Sequence, residues 1–114
     1  MIEVNKEMIS KERVDEWFAK WESLNTNIFA AHDSRDGSAA ELMQQGIELF
    51  ETFIVEGSQT EGAFDINEEY EIMPINGMER IHFIKARPGQ YACYRQLDEL
   101  FKETKKRCAR LRLK

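Results

Sequence analysis

Tyr94, Leu97, Phe101, Thr104, Cys108 and Leu111 follow one another at intervals of three, four, three, four and three residues. An α-helix turns once in 3.6 residues, so this spacing lays all of them on one stripe. A stripe of that length needs an apolar surface of similar length to pack on, as in a helical bundle. Tyr91 and Leu100 widen the first half of the stripe. The last turns carry basic residues, which suits the negative end of a helix.

The stretch leading into this helix is the most specified part of the chain. Residues 73–101 read MPINGMERIHFIKARPGQYACYRQLDELF and hold both prolines. Asn76, with Glu79 three residues on, reads as an N-cap with a capping box. Met78, Ile81 and Ile84 then face the core, with Phe83 nearby. Arg87-Pro88 stops this short helix, because the residue before a proline leaves the α region.

The earlier part supplies two more helices. Val14, Trp17, Trp21, Leu24 and Ile28 share a stripe from about Ser10 to His32, with Ser10 as N-cap. Asn25-Thr26-Asn27 are weak helix formers, which leaves room for a kink or break there. A second capping box is expected at Ser38-Ala39-Ala40-Glu41. Its helix continues to about Glu56, where Gly57 ends it. Leu42, Gly46, Leu49 and Phe53 form one seam and Met43, Ile47, Phe50 and Ile54 the next, so this reads as the central helix, with Gly46 permitting a close approach. Residues 58–72 form a long acidic connection that includes Glu61, Asp65, Glu68, Glu69 and Glu71, with room for a short helix or an extended piece.

These elements predict an all-α fold: one domain over residues 1–114, a bundle of four main helices with the third short, and a long acidic loop before it. The 114 residues are 42% hydrophobic with seven Phe, enough to build a core rather than a disordered chain. No run approaches the roughly 20 apolar residues of a membrane span. No basic region followed by an apolar segment opens the chain, and the cytoplasm is the expected location. Cys93 and Cys108, on one helix, lie about 22 Å apart and cannot pair within the chain, so both are expected as free thiols.

The net charge of −5 is unevenly spread. Residues 102–114 hold seven basic groups and one acidic, leaving the preceding chain at −11. Lys105, Lys106, Arg107, Arg110 and Arg112 form a candidate basic interaction surface, which on a nucleic acid would meet phosphates. The plainer reading is a solvated helix end that complements the helix dipole and the acidic body. That body opposes nucleic-acid binding, and no aromatic is interleaved with the basic run for base stacking. Glu79, Arg80, Arg87 and Arg95 make a candidate polar patch. The plainer reading is ion pairing that fixes how the last two helices meet the body.

Other chemistries find little footing. Asp65 to Asn76 has Tyr70 and Asn76 where a calcium loop needs Gly and Glu. Two histidines, His32 and His82, and no closely spaced cysteines give no zinc pattern. Cys93 with His82 is the one conceivable nucleophile and base, and no glycine-rich phosphate loop is present. No catalytic, metal or cofactor residue is assigned.

Pro74-Ile75-Asn76, Glu79-Arg80-Ile81, Phe83-Ile84, Arg87-Pro88, Tyr91, Gln96-Leu97, Glu99-Leu100-Phe101 and Glu103 to Lys106 together resemble the YpoC-like family of small proteins from Gram-positive bacteria. The resemblance is strongest over about residues 71–107. It implies a helical, intracellular protein, and it brings no activity, cofactor or catalytic residue. It also implies genes that neighbour those for replication initiation, DNA repair and cell-wall synthesis. The expectation is a non-enzymatic protein that works through contact with a protein partner or with itself. The alternative is a nucleic-acid accessory that uses the basic last helix, and a small enzyme comes third.

Overall fold

Ser10 opens the first helix as its spacing predicts: its hydroxyl accepts the Arg13 N–H at 3.3 Å. In the computed structural model, which describes residues 1–114, the helices are α1 (Lys11–Ser34), α2 (Ala39–Glu56), α3 (Gly77–Ala86) and α4 (Tyr91–Arg112). A short 3-10 turn, Lys6–Ile9, precedes α1. The fold is all-α, with two isolated β-bridges and no strand.

Helix α1 runs unbroken through Asn25-Thr26-Asn27, without the break for which these weak helix formers leave room. Thr26 turns its hydroxyl back onto the Glu22 carbonyl at 3.1 Å, and Asn25 finds partners on α4. The helix ends where Arg35 adopts a left-handed conformation, φ 56°, and its N–H bonds to the Ala31 carbonyl.

Neither predicted capping box forms. The Ser38 hydroxyl bonds to Asp36 Oδ1 at 2.6 Å, and the same carboxylate takes the Ser38 N–H at 2.9 Å. A closer acceptor therefore wins over the α2 amides. Asn76 sits at φ 55°, which Asn tolerates better than most residues, and its side chain makes no cap bond to α3. A β-region N-cap is what aims a side chain at the first turn, and this backbone departs from it.

The seam of α4 is the spine of the core. Tyr94, Leu97, Phe101, Thr104, Cys108 and Leu111 are all buried. Phe101 stacks on Trp21 with ring centroids 4.2 Å apart and planes 6° from parallel, and on Trp17 at 4.8 Å. Phe50 meets it edge-on at 5.3 Å. Burying a side chain of this size contributes about 1.5–3 kcal/mol, so this aromatic knot is a main reason that α1, α2 and α4 converge. Twenty-three buried residues, drawn from all four helices, from the segment before α1 and from the connection before α3, form one continuous cluster.

It is α1, rather than the expected α2, that packs broadly against both α2 and α4. Gly46 explains part of this. A Cβ there would lie 2.9 Å from Trp21 Cζ3 and 3.1 Å from Leu97 Cδ2, so its bare backbone lets an indole ring close in. Gly57 ends α2 at φ −83°, outside the left-handed region. Its missing side chain makes room for Ile72 and Ile9 instead.

The acidic connection contains no helix. Met1–Asn5 instead pass between residues 57–59 and 69–71, with Val4 bridged to Ser58 on one side and Ile2 to Tyr70 on the other. Tyr70, Ile72 and Met73 are buried and tie the connection down, and Phe64 stacks on Tyr70 at 5.6 Å.

Candidate functional site

Helix α4 carries the chemistry that the sequence singles out, and its seam decides which way each charge points. With Thr104, Cys108 and Leu111 turned inward, Lys105 and Arg112 fall on one flank, Arg107 on the other, and Lys106 and Arg110 on the solvent side.

Three of these five cations are engaged within the fold. Lys105 lies over the Phe18 ring, 4.4 Å from its centroid, and 3.9 Å from Asp15. Arg107 donates its Nε–H to the Glu71 carbonyl at 2.6 Å, which holds the end of the acidic connection against α4. Arg112 donates to the Ile9 carbonyl at 2.8 Å and holds the turn before α1. Lys106 and Arg110 are exposed, one turn apart, and form no ion pair. The basic run is thus not one surface. It is two outward cations and three structural ones.

The four residues of the predicted polar patch form no ion pair with one another. Arg80 makes a two-pronged bond to Glu103, with Nη1 and Nη2 at 3.0 and 2.6 Å from the carboxylate oxygens. Its Nε–H bonds to Gln96 Oε1 at 3.0 Å, and Nη1 also reaches the Ile75 carbonyl. Arg80 therefore clamps α3 to α4 through Glu103, whereas the plainer reading expects ion pairs that fix both helices to the body. The hydrogen bond to Arg80 holds the Glu103 carboxyl below its usual range, and the same bond raises the Arg80 guanidinium. Glu79, Arg87 and Arg95 are exposed and join no ion pair. A hydrogen bond donated to the Tyr91 hydroxyl raises Arg95.

A polar cluster that the sequence reading missed lies on the opposite side of α4. The buried Asp98 accepts the Trp21 indole N–H at 3.0 Å and the Asn25 amide at 3.2 Å on one oxygen. Lys102 reaches its other oxygen at 2.9 Å from solvent. The Tyr94 hydroxyl donates to Asn25 Oδ1. Burial, then the neighbouring Asp98 charge, raises the Tyr94 phenol. His32 stacks on Tyr94 at 5.6 Å and meets Tyr91 edge-on at 5.3 Å. The spacing Tyr94, Asp98, Lys102 was the available signal: a tyrosine, an acid and a base at successive helix turns beside the apolar seam.

Cys93 and Cys108 are both free and fully buried. Burial pushes the Cys108 thiol up to about 12 and raises Cys93 as well, the opposite of what a nucleophile needs. His82 is exposed on α3, whereas the Cys93 thiol turns to the Phe83 carbonyl at 3.9 Å. No group of three or more His, Cys, Asp or Glu side chains gathers as a metal site. The hollows are shallow and open: one of about 410 Å³ between α2 and the acidic connection includes Glu48, Glu51, Phe64 and Lys85. Another of about 330 Å³ lies among Phe29, His32, Asp33 and Tyr91. No helix is long and apolar enough to cross a membrane.

A family model described as YpoC-like protein matches residues 11–114, well beyond the stretch that carries the resemblance in sequence. A protein of Bacillus subtilis (strain 168), described as "Uncharacterized protein YpoC", is 54% identical over 37 residues. That match covers 32% of this chain and 23% of the Bacillus protein, so it spans less than a quarter of that relative. No solved structure matches.

Proposed function

The chain belongs to the YpoC-like family, and on that footing we propose that it is a non-enzymatic cytoplasmic protein that docks an acidic protein surface on the outer face of α4. The observation that carries this reading is the division of labour among the terminal cations. Lys105, Arg107 and Arg112 are spent on Phe18, Glu71 and Ile9. Lys106 and Arg110 are left outward, with Ala109 exposed between them. Two unpaired cations around a small apolar step suit a partner that presents carboxylates. The rest of the chain is strongly acidic and disfavours other acidic encounters, which confines such a partner to this face.

The same division weakens the nucleic-acid reading. A phosphate-tracking surface relies on several outward cations at once, and here only two of the five are uncommitted. The test is a pull-down of the tagged protein from its own cells, with K106E/R110E in parallel. A protein that co-purifies with the unaltered chain at low salt should be lost from the charge-reversed one. Partners retained by K106E/R110E would overturn the reading. Duplex DNA bound at low salt and released steeply as salt rises would replace it with the nucleic-acid one.

A further inference from the structure

Phe29, His32 and Asp33 are spaced three and four residues from the first near the end of α1, so they share one side of that helix. Tyr91, the first residue of α4, comes up beside them. Three rings and one carboxylate thus line a hollow of about 330 Å³. The rings of His32 and Tyr91 stand almost perpendicular, at 87° with centroids 5.3 Å apart, and make a corner. Tyr94 backs the corner, stacked on His32 at 5.6 Å and edge-on to Tyr91 at 5.5 Å.

The packing of the bundle leaves two features of this corner without a role. Phe29 is 53% exposed and Tyr91 47%, whereas Ile28 and Ala31 beside them are buried. Large aromatic surface therefore stays in water where the neighbouring positions are covered. His32 Nε2 is buried and has no hydrogen-bond partner, so ring packing rather than that nitrogen holds the imidazole. The histidine serves there as a flat wall. Asp33 is exposed and joins no ion pair. Arg95 is engaged at the Tyr91 hydroxyl, the tip of that ring rather than its face. The C-terminal end of α1 and the N-terminal end of α4 meet here and carry opposite partial charges, which offset each other. Asp33 is left as the charge that lines the hollow.

We propose that this corner binds an organic cation whose charge is spread over alkyl groups, a quaternary ammonium, against Phe29, His32 and Tyr91 with Asp33 as its counter-ion. Aromatic faces carry negative potential and attract a cation set over them. A quaternary ammonium has no N–H to satisfy, which matches walls that offer carbon and a single carboxylate. A primary ammonium has three N–H donors to place, and the hollow lacks acceptors for them. A neutral apolar ligand would take water from Asp33 and return nothing. The hollow is small for a ligand site, which suits a headgroup rather than a cofactor. It is also open, so each ring contributes about two- to fivefold in affinity, as exposed cation–π contacts do.

The test titrates choline and follows the proton resonance of its N-methyl groups, which should move upfield as they settle over the rings. The carbon isostere of choline, with a quaternary carbon in place of the nitrogen, has the same shape and no charge, and should show little or no shift. Phe29→Leu and Tyr91→Leu keep apolar bulk but remove a ring, and each should weaken choline binding about two- to fivefold. Should either variant lose its helical circular dichroism, two changes at exposed residues carry the test: D33N should weaken binding and R95Q should strengthen it. K106E/R110E, about 22 Å away along α4, should bind choline unchanged, which keeps this site separate from the docking face. A short peptide with a single trimethyllysine is titrated in parallel. Binding tighter than that of choline places the cation on a protein chain, and weaker binding places it in a small molecule. Equal shifts from choline and its isostere, unchanged affinity in both leucine variants or in both D33N and R95Q, or no shift at all would each overturn the proposal.

Discussion

Asp98 and Trp21 stand 77 positions apart in the chain, yet the indole N–H of one meets the carboxylate of the other at 3.0 Å inside the protein. This bond, with that from Asn25 to the same oxygen, fixes the rotation of α4 against α1. Asp98→Ala leaves two donors without an acceptor, each an unmet polar group costing about 1–3 kcal/mol. A urea melt followed at the helical circular dichroism band should show a clear loss of stability, and more than that of Lys102→Ala, which removes only a half-exposed partner. Equal effects from the two variants would contradict the assignment.

The clamp from Arg80 to Glu103 gives a pH signature. Glu103 is held below its usual value of 4.5 in the folded protein. A depressed carboxyl stabilises above the unfolded value and loses that contribution as pH falls through the folded one. The gap in melting temperature between the unaltered protein and E103Q should thus be widest near neutrality and shrink progressively below about pH 4.5. R80K should restore little, because an ammonium cannot reproduce the two-pronged bond.

Gly46→Ala tests a sign. Alanine improves helix propensity by up to about 1 kcal/mol at an unconstrained site. Here its methyl would press on the buried ring of Trp21, which the bond to Asp98 prevents from yielding. Overpacking costs of about 1–3 kcal/mol outweigh the gain. The variant should melt earlier; a higher melting temperature would show that the helices can separate.

Leu97→Ala and Phe101→Ala remove buried seam residues, and each should cost about 2–5 kcal/mol. Phe101→Ala should be the worse of the two, since it also dissolves contacts to Trp17, Trp21 and Phe50. Chemical denaturation of both variants measures the ranking directly.

The thiols predict slow chemistry. Cys93 and Cys108 are fully buried with raised pKa values, that of Cys108 reaching about 12. A thiol reagent at mildly alkaline pH should modify neither in the native state at the rate of a free cysteine, and both at once on unfolding. Rapid native modification of Cys108 would mean that α4 opens locally.

The seam was legible because spacing on a helix is geometry: once Leu97 and Phe101 face inward, Thr104, Cys108 and Leu111 must follow. The same wheel, carried one step further, separates Lys106 and Arg110 from Lys105 and Arg112. Treating the five cations as one surface overlooked that they lie on different sides of the helix. The caps failed for a local reason. A capping box assumes that the N-cap side chain has nothing nearer to bond, and Asp36 is nearer to Ser38 than the α2 amides. The partnership of Arg80 with Glu103 lies 23 positions apart, and that between Ile2 and Tyr70 further still. Pairs so distant are set by tertiary approach, which no local pattern records. Ile2 and Val4 do alternate, but two alternating residues are too few to announce the bridges that they make.

The Trp17, Phe101, Trp21 stack also makes the protein its own spectroscope. Both indoles of the chain sit on α1, and both lie against one phenyl ring of α4. Chiral, rigid stacking of this kind gives structured near-ultraviolet dichroism, and burial shifts indole emission to the blue. Any event that lifts α4 from α1, whether denaturant, a docked partner or a seam mutation, is therefore readable in the intrinsic light of the molecule without a label.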